Sequence, residues 1–542
     1  MKCRQQFKVC LTAVAIVAYG MGSISTAQQS LDQFGEKVEI LTRGPVHEAF
    51  AGAVTFDPQP AVLVPKAPPD AIEELPPELK PEGDNVEWIP GYWAWDDEGS
   101  DFLWVSGTWR NLPPGRQWIP GYWGQSATGA QWTSGYWADS GLTEVEYLPE
   151  PPESVESGPN IEAPSENSIW LPGNWVWQQN RYAWRPGFWS AAQPNWIWTP
   201  AHYLWAPRGY VFVDGYWDYN IANRGVLFAP VRFNQNVFAQ QGFSYSPATV
   251  INARGLINHL FLRPNYGHYY YGDYYGANYA DSGFYPSHAF YSGRQGYDPI
   301  YVQQRWENRR ISDWERRVRE NFERRRNDER ARPPRTFAAQ QELAQKGLSE
   351  EEKAERVFSE PLKQFAQSPL AEPLRFQPVS REDRQRFGQT GVQIRTQRQQ
   401  RQQLETKLDR PAAAQPDQLA APEESASSRI KLPRSPLVAK DAKQLGKEFV
   451  PPKRQEFPKT DASVTPKPRR QGDRTIVPKP DVVPAAAEEK PRPDRRPEPK
   501  PEPKPEPKPD PKPEPKKPDP KPDPKPDPKP DPESGEKLDP KG

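Results

Sequence analysis

The chain has 542 residues, 68 of them proline and only 35% of them hydrophobic. With a mean hydropathy of −0.92, much of its length cannot bury enough apolar surface to offset ordering entropy, which excludes a string of ordinary globular domains. The net charge of zero conceals an asymmetry: residues 28–300 hold 29 acidic and 14 basic residues, whereas residues 301–542 hold 42 acidic and 54 basic, a back half able to hold an anionic partner or the front half itself.

Residues 1–27 read as a signal peptide. Lys2, Arg4 and Lys8 precede a short apolar stretch from Val9 to Met21, and Ser25-Thr26-Ala27 offers a cleavage site. No later segment is apolar enough to cross a membrane. The only cysteines are Cys3 and Cys10, so the exported chain has no disulfide, thiol nucleophile or cysteine metal site. The expected location is periplasmic, cell-envelope or extracellular, which disfavours nucleic acid as a partner. Residues 28–87 form an extended Pro/Glu-rich lead-in, with strand-like Gly52–Phe56 and Ala61–Val64.

Eighteen of the 20 Trp fall between Trp88 and Trp217 and recur as W-x-x-G-x-W. The full copies are Trp88–Trp93, Trp104–Trp109, Trp118–Trp123, Trp132–Trp137, Trp170–Trp175 and Trp184–Trp189. A seventh, from Trp198, has Ala201 and Tyr203, and an eighth, from Phe212, keeps Gly215 and Trp217. The usual period is 14 residues, broken by an acidic linker at 139–167 that reads as a loop. Aromatic residues favour strands and turn formers separate the copies. The expected fold is therefore mainly β: an antiparallel β-meander of about eight repeats, one strand each, at 88–138 and 168–219. The two Trp of a copy are five apart, so a regular strand places them on opposite faces. A bulge at the Gly would bring them to one face, and this is expected.

In a chain poor in aliphatic residues, Trp supplies core area. Exposed rings can also stack on sugars or cage quaternary ammonium groups. The candidates for ligand binding are the Trp outside the motif: Trp95, Trp177, Trp196 and Trp205. Asp96, Asp97 and Asp101 are numerous acids without a paired partner, and His259, His268 and Asp273 match no metal-ligand spacing. No catalytic, cofactor or metal site is expected.

The array resembles the repeats of bacterial YXWGXW (WXXGXW) repeat-containing secreted proteins, a family of uncharacterised function. The resemblance implies no enzyme activity and carries no catalytic residues over; the seventh copy departs from the pattern at Ala201 and Tyr203. The likeness to choline-binding cell-wall repeats is compositional only.

Residues 220–300 read as a β and Tyr/Gly-rich extension. Residues 301–335 read as one basic amphipathic helix, with a stripe of Trp306, Ile311, Trp314, Val318 and Phe322. Helical segments follow at 336–408, starting at Ser349 with Glu352 in a capping box and at Ser380. Disorder is expected over 409–542, and Pro497 to Pro532 alternates proline with charge, a polyproline-type spacer. The composite expectation is a non-enzymatic secreted or cell-envelope structural or interaction protein whose partner is a cell-wall or other envelope polymer. The alternative is a carbohydrate- or choline-type binding module. Oligomeric state is not legible.

Overall fold

Opposed Trp residues set the register of the array. In the computed structural model, residues 38–126, 128–234, 237–407, 427–440 and 458–467 are described. The expected signal peptide and the 497–532 spacer lie outside them. The described residues belong to one compact unit. The chain is strand-rich, with 33% strand and 25% helix.

Two consecutive copies fold together as one long antiparallel hairpin. In the first, Val86–Ile89 pairs with Thr108–Asn111, and Tyr92–Asp96 pairs with Asp101–Val105. The same pattern recurs at 116–139, 168–191 and 196–219. Each hairpin thus has a base and a tip, separated by a two-residue interruption in both arms. Trp88 faces Trp109 and Trp93 faces Trp104 across the ladder. Trp118 and Trp137, Trp123 and Trp132, Trp170 and Trp189, Trp175 and Trp184, and Trp198 and Trp217 do the same. Their rings meet edge to face or tilted, with centroids 5.0 to 5.5 Å apart. Such pairs add roughly 0.5–1.5 kcal/mol each beyond the area they bury.

Two expectations are corrected here. Copies pair two by two; among the described residues, the second copy's strand Thr108–Asn111 pairs on its other side with Gly225–Phe228, not with the third copy. The array is therefore a set of hairpins rather than a continuous meander. Nor is there a net bulge at the Gly: both arms omit the same number of residues, and the register is unchanged from base to tip. The odd spacing then has its ordinary consequence. Trp88 and Trp109 join a cluster with Phe228, Val250 and Phe387, whereas Trp93 and Trp104 join another with Val231 and Phe233. Each hairpin pins two different parts of the core together.

The flanks add strands to the first hairpin. Its base is part of a five-stranded sheet that includes Gly225–Phe228, Thr249–Ile251 and Ser359–Pro361, and its tip part of a four-stranded one with Val231–Phe233 and Val38–Ile40. The acidic linker is not a free loop. Glu144–Leu148 is a strand between Gly209–Val213 and Ser428–Lys431, and Glu156 is bound by the third hairpin. Within the stretch expected to be disordered, Ser428–Lys431 thus pairs with the linker strand, Val438 and Asp461 bridge to Gln117 and Trp184 of the array, and Leu437 is buried against the second hairpin, its carbonyl accepting from the Trp118 backbone N–H.

The basic helix is two helices, Pro299–Glu307 and Trp314–Asn327. Asn308 caps the first, and the intervening turn leaves Ile311 exposed, off the expected stripe. Ser349 and Glu352 form the expected capping box, and Ser380 caps the Arg381–Thr406 helix. That helix is held against the hairpins: Phe387 packs on Trp109, Ile394 is buried, and Arg401 and Glu405 are fully buried as an ion pair 2.9 Å apart. Tyr122 and Tyr147 both donate to Glu405 at 2.7 Å.

The motif glycines make room for the facing indole. A Cβ at Gly107 would meet Trp88 at 2.5 Å and the Ile89 carbonyl at 2.6 Å, whereas one at Gly124, outside the motif's glycine position, finds nothing closer than 3.7 Å. Gly107→Ala is therefore expected to cost about 1–3 kcal/mol or more, and Gly124→Ala to stay within about 0.5 kcal/mol. Urea unfolding of the two variants checks this; equal midpoints would contradict the packing role assigned to Gly107.

Candidate ligand cleft

The interruption in each hairpin strips backbone groups of their ladder partners; in the first three hairpins glycine N–H groups are answered from outside, and in the fourth the Gly215 N–H is answered by the adjacent Asp214 carboxylate at 2.9 Å. In the first hairpin, Glu74 accepts from the Gly91 N–H at 2.5 Å, the Gly107 N–H at 2.9 Å and the Trp104 indole at 3.0 Å. In the second, Glu48 accepts from Gly121 at 3.0 Å and Gly135 at 2.9 Å. Arg401 donates to the Pro120 and Ser134 carbonyls of the same interruption, both at 3.0 Å. In the third, Glu156 accepts from the Gly173 N–H and from the Trp170 indole at 3.0 Å. Glu74 and Glu156 sit on straps that also cap Trp indoles: Trp93 donates to the Asp70 carbonyl and Trp175 to that of Glu153, each at 3.0 Å.

The Trp candidates outside the motif are dispersed. Trp95 is 5% exposed, edge-on to Phe102, with the Lys66 ammonium 5.9 Å from its ring centroid. Trp196 is 7% exposed and stacked on Tyr219. Trp177 and Trp205 are half-buried around the cluster at the tips of the third and fourth hairpins. The structure does not bring the four to one surface. The acids named above are engaged: Asp96 with Arg232, Asp97 with Arg263 and Asp101 with Lys66. His259 contacts the Tyr275 hydroxyl and the Glu355 carbonyl, and burial lowers its pKa to about 3. His268 contacts the Tyr92 hydroxyl, and burial lowers its pKa also. Among the described residues no group of histidines and carboxylates is arranged to hold a metal ion.

A cleft of about 670 Å³ lies where the third hairpin, the Glu156 strap and the two helices at 299–327 converge. Its aromatic walls include Trp170, Trp189, Trp306, Trp314, Tyr291 and Phe56. Trp189 anchors its indole N–H to the Ile161 carbonyl at 2.9 Å and is only half-buried. The Arg309 guanidinium lies 4.7 Å from the Trp306 ring centroid and donates to Asn167 at 2.8 Å. Arg305 pairs with Glu315; burial works against the Arg305 cation, yet Glu315 holds its pKa above the usual guanidinium range. Burial raises the Tyr291 phenol pKa, which keeps it a neutral hydroxyl. Among the described residues, the indole nitrogen of Trp306 and the Nε of Arg309 are buried without a hydrogen-bond partner.

In the sequence, Trp170 and Trp189 read as core and Trp306 and Trp314 as a helical stripe. The available signal was that Trp306 and Trp314 are the two Trp outside the repeat array, so no motif partner was waiting for them.

The family profile described as WXXGXW repeat (2 copies) matches residues 83–110, 169–189 and 194–218. The chain carries these repeats, and each matched stretch corresponds to one hairpin of the fold. The second hairpin, at 116–139, has the same geometry without being matched. No curated protein and no solved structure matches the chain.

The first glycine pair makes a pH prediction. Burial pushes the Glu74 carboxyl up to about 7, against the pull of Gly107, Trp104 and Gly91. A carboxyl raised in the folded state contributes stability that is complete below its unfolded pKa of about 4.5 and is lost as pH rises through about 7. The expected loss is on the order of 3 kcal/mol. Denaturant titrations between about pH 4.5 and 7.5 should show this decline. Glu74→Gln should flatten that component; an unchanged slope in the variant would refute the assignment.

Proposed function

We propose that this chain is a non-enzymatic exported protein of the cell envelope. Its Trp-rich hairpins serve as a rigid interaction module, and the Pro/charge run provides reach through an envelope polymer layer. The observation that carries the reading is where the motif's chemistry is used. The Trp pairs pack against each other, and the motif glycines bind the protein's own straps. Acids elsewhere in the fold are used the same way: Asp218 lies between Arg110 and Arg224, and Glu405 between Arg401 and two tyrosines. Among the described residues no helix is long and apolar enough to cross a membrane. Envelope retention therefore rests, in this reading, on polymer contact.

The test is fractionation of the cells that make the protein. The full chain is expected to sediment with the envelope, and a chain ending at residue 477 to shift substantially to the soluble fraction. Equal partition of the two would overturn the spacer reading. Recovery of the full chain in the cytoplasm would overturn export as well.

A further inference from the structure

We infer that the cleft between the third hairpin and the helices at 299–327 binds a neutral oligosaccharide. The inference deepens the interaction reading by naming a site and a ligand class.

The volume of about 670 Å³ lies within the range of small-molecule sites, and the walls are largely aromatic. Edge-to-face packing occupies only part of these rings: Trp170 and Trp189 meet at 74°, and Trp189 stays half-buried. Trp306 and Trp314 come from different helices and are also half-buried. Flat apolar faces in a partly open cleft suit the C–H face of a sugar ring.

The polar groups select further. Three carboxylates (Glu156, Glu166, Glu315) and three guanidiniums (Arg294, Arg305, Arg309) line the cleft, so it has no net charge. Glu156 is occupied by Gly173 and Trp170, and Glu315 by Arg305. This removes two of the three anions that would hold a quaternary ammonium ligand, and the balanced arginines give an anion no net attraction. What the cleft lacks is an acceptor. Among the described residues, the Trp306 indole N–H and the Arg309 Nε–H are buried donors with no partner, and leaving such groups unsatisfied is costly. A hydroxyl or ether oxygen answers them without bringing charge. A neutral saccharide combines the ring face with that acceptor oxygen.

The test uses the full chain, titrated with chitotetraose and cellotetraose and followed by tryptophan fluorescence and calorimetry. Choline and a proline-rich peptide are run in parallel. At least one tetrasaccharide should bind saturably. Trp306→Phe keeps a ring but removes the donor, and it should weaken binding about two- to tenfold. Trp189→Ala should weaken it more strongly, while Trp177→Phe, at the far tip of the same hairpin, should leave it unchanged. Near-ultraviolet circular dichroism verifies folding; should Trp189→Ala not fold, Trp306→Phe and Trp177→Phe carry the comparison. The inference is overturned if neither tetrasaccharide binds at millimolar concentration, if binding ignores Trp306→Phe, or if choline or the peptide binds in their place. A failed titration leaves the fractionation result standing, because that experiment depends on residues 478–542 and not on the cleft.

Discussion

A β-ladder that stops for two residues leaves amide and carbonyl groups that cannot remain unpaired inside a protein. The hairpins here stop at the x-Gly step of each motif copy, and the solution organises the molecule. The facing indole covers the glycine, which needs the absence of a Cβ. In the first three hairpins a glycine N–H then takes a carboxylate from another part of the chain, whereas in the fourth the Gly215 N–H takes that of its neighbour Asp214. One residue type thus supplies both the space and the donor, and the segment that brings the carboxylate is drawn onto the hairpin. The array is held by straps rather than by strand-to-strand continuity between neighbouring hairpins.

The same constraint explains how distant parts of the chain share one structure. His47 and Glu48 are neighbours in sequence but answer different hairpins: His47 Nε2 contacts the Pro90 carbonyl of the first, and Glu48 binds the glycines of the second. With Nδ1 accepting from the Ala49 N–H at 3.1 Å, the imidazole carries its proton on Nε2. Burial lowers the His47 pKa to about 3, so it remains neutral. From the other direction, the Arg381–Thr406 helix supplies Arg401 to the carbonyls of the second interruption. A polar helix face, unpromising as an apolar stripe, is suited to a site made of unpaired backbone.

Much of this was legible in part. The period, the Trp core and the helix caps at Ser349 and Ser380 follow from local chemistry, and the structure has them. Pairing did not follow, because a spacing of 14 residues suits a meander and a series of separate hairpins equally. The single spacing of 16, between Trp88 and Trp104, reflects the longer tip of the first hairpin, where Asp96 faces Asp101; the third turns between Gln178 and Arg181. The straps were hidden for a different reason. An acidic, proline-rich segment has the composition of a solvated linker, and nothing in composition shows that one of its carboxylates binds a hairpin glycine. The clue was positional: Glu74 and Glu156 each lie 17 residues before the glycine they bind. The cleft was not legible, since it forms where two helices part at 308–313, and the amphipathic stripe suggested a single helix.

The departures in the seventh and eighth copies follow from the same geometry. In each hairpin the glycine of one copy lies beneath the first Trp of its partner: Gly91 beneath Trp104, Gly121 beneath Trp132 and Gly173 beneath Trp184. Position 201 lies in the corresponding place opposite residue 212. Ala201 brings a methyl group where the other hairpins have none, and residue 212 is Phe where they have Trp. The two changes offset each other, because a phenyl leaves room that an indole would fill. The other half of that hairpin keeps both partners, with Gly215 beneath Trp198 at a Cβ distance of 2.5 Å. The motif is thus a pairwise packing rule between a small residue and a ring, and a copy can leave the W-x-x-G-x-W pattern when its partner changes with it.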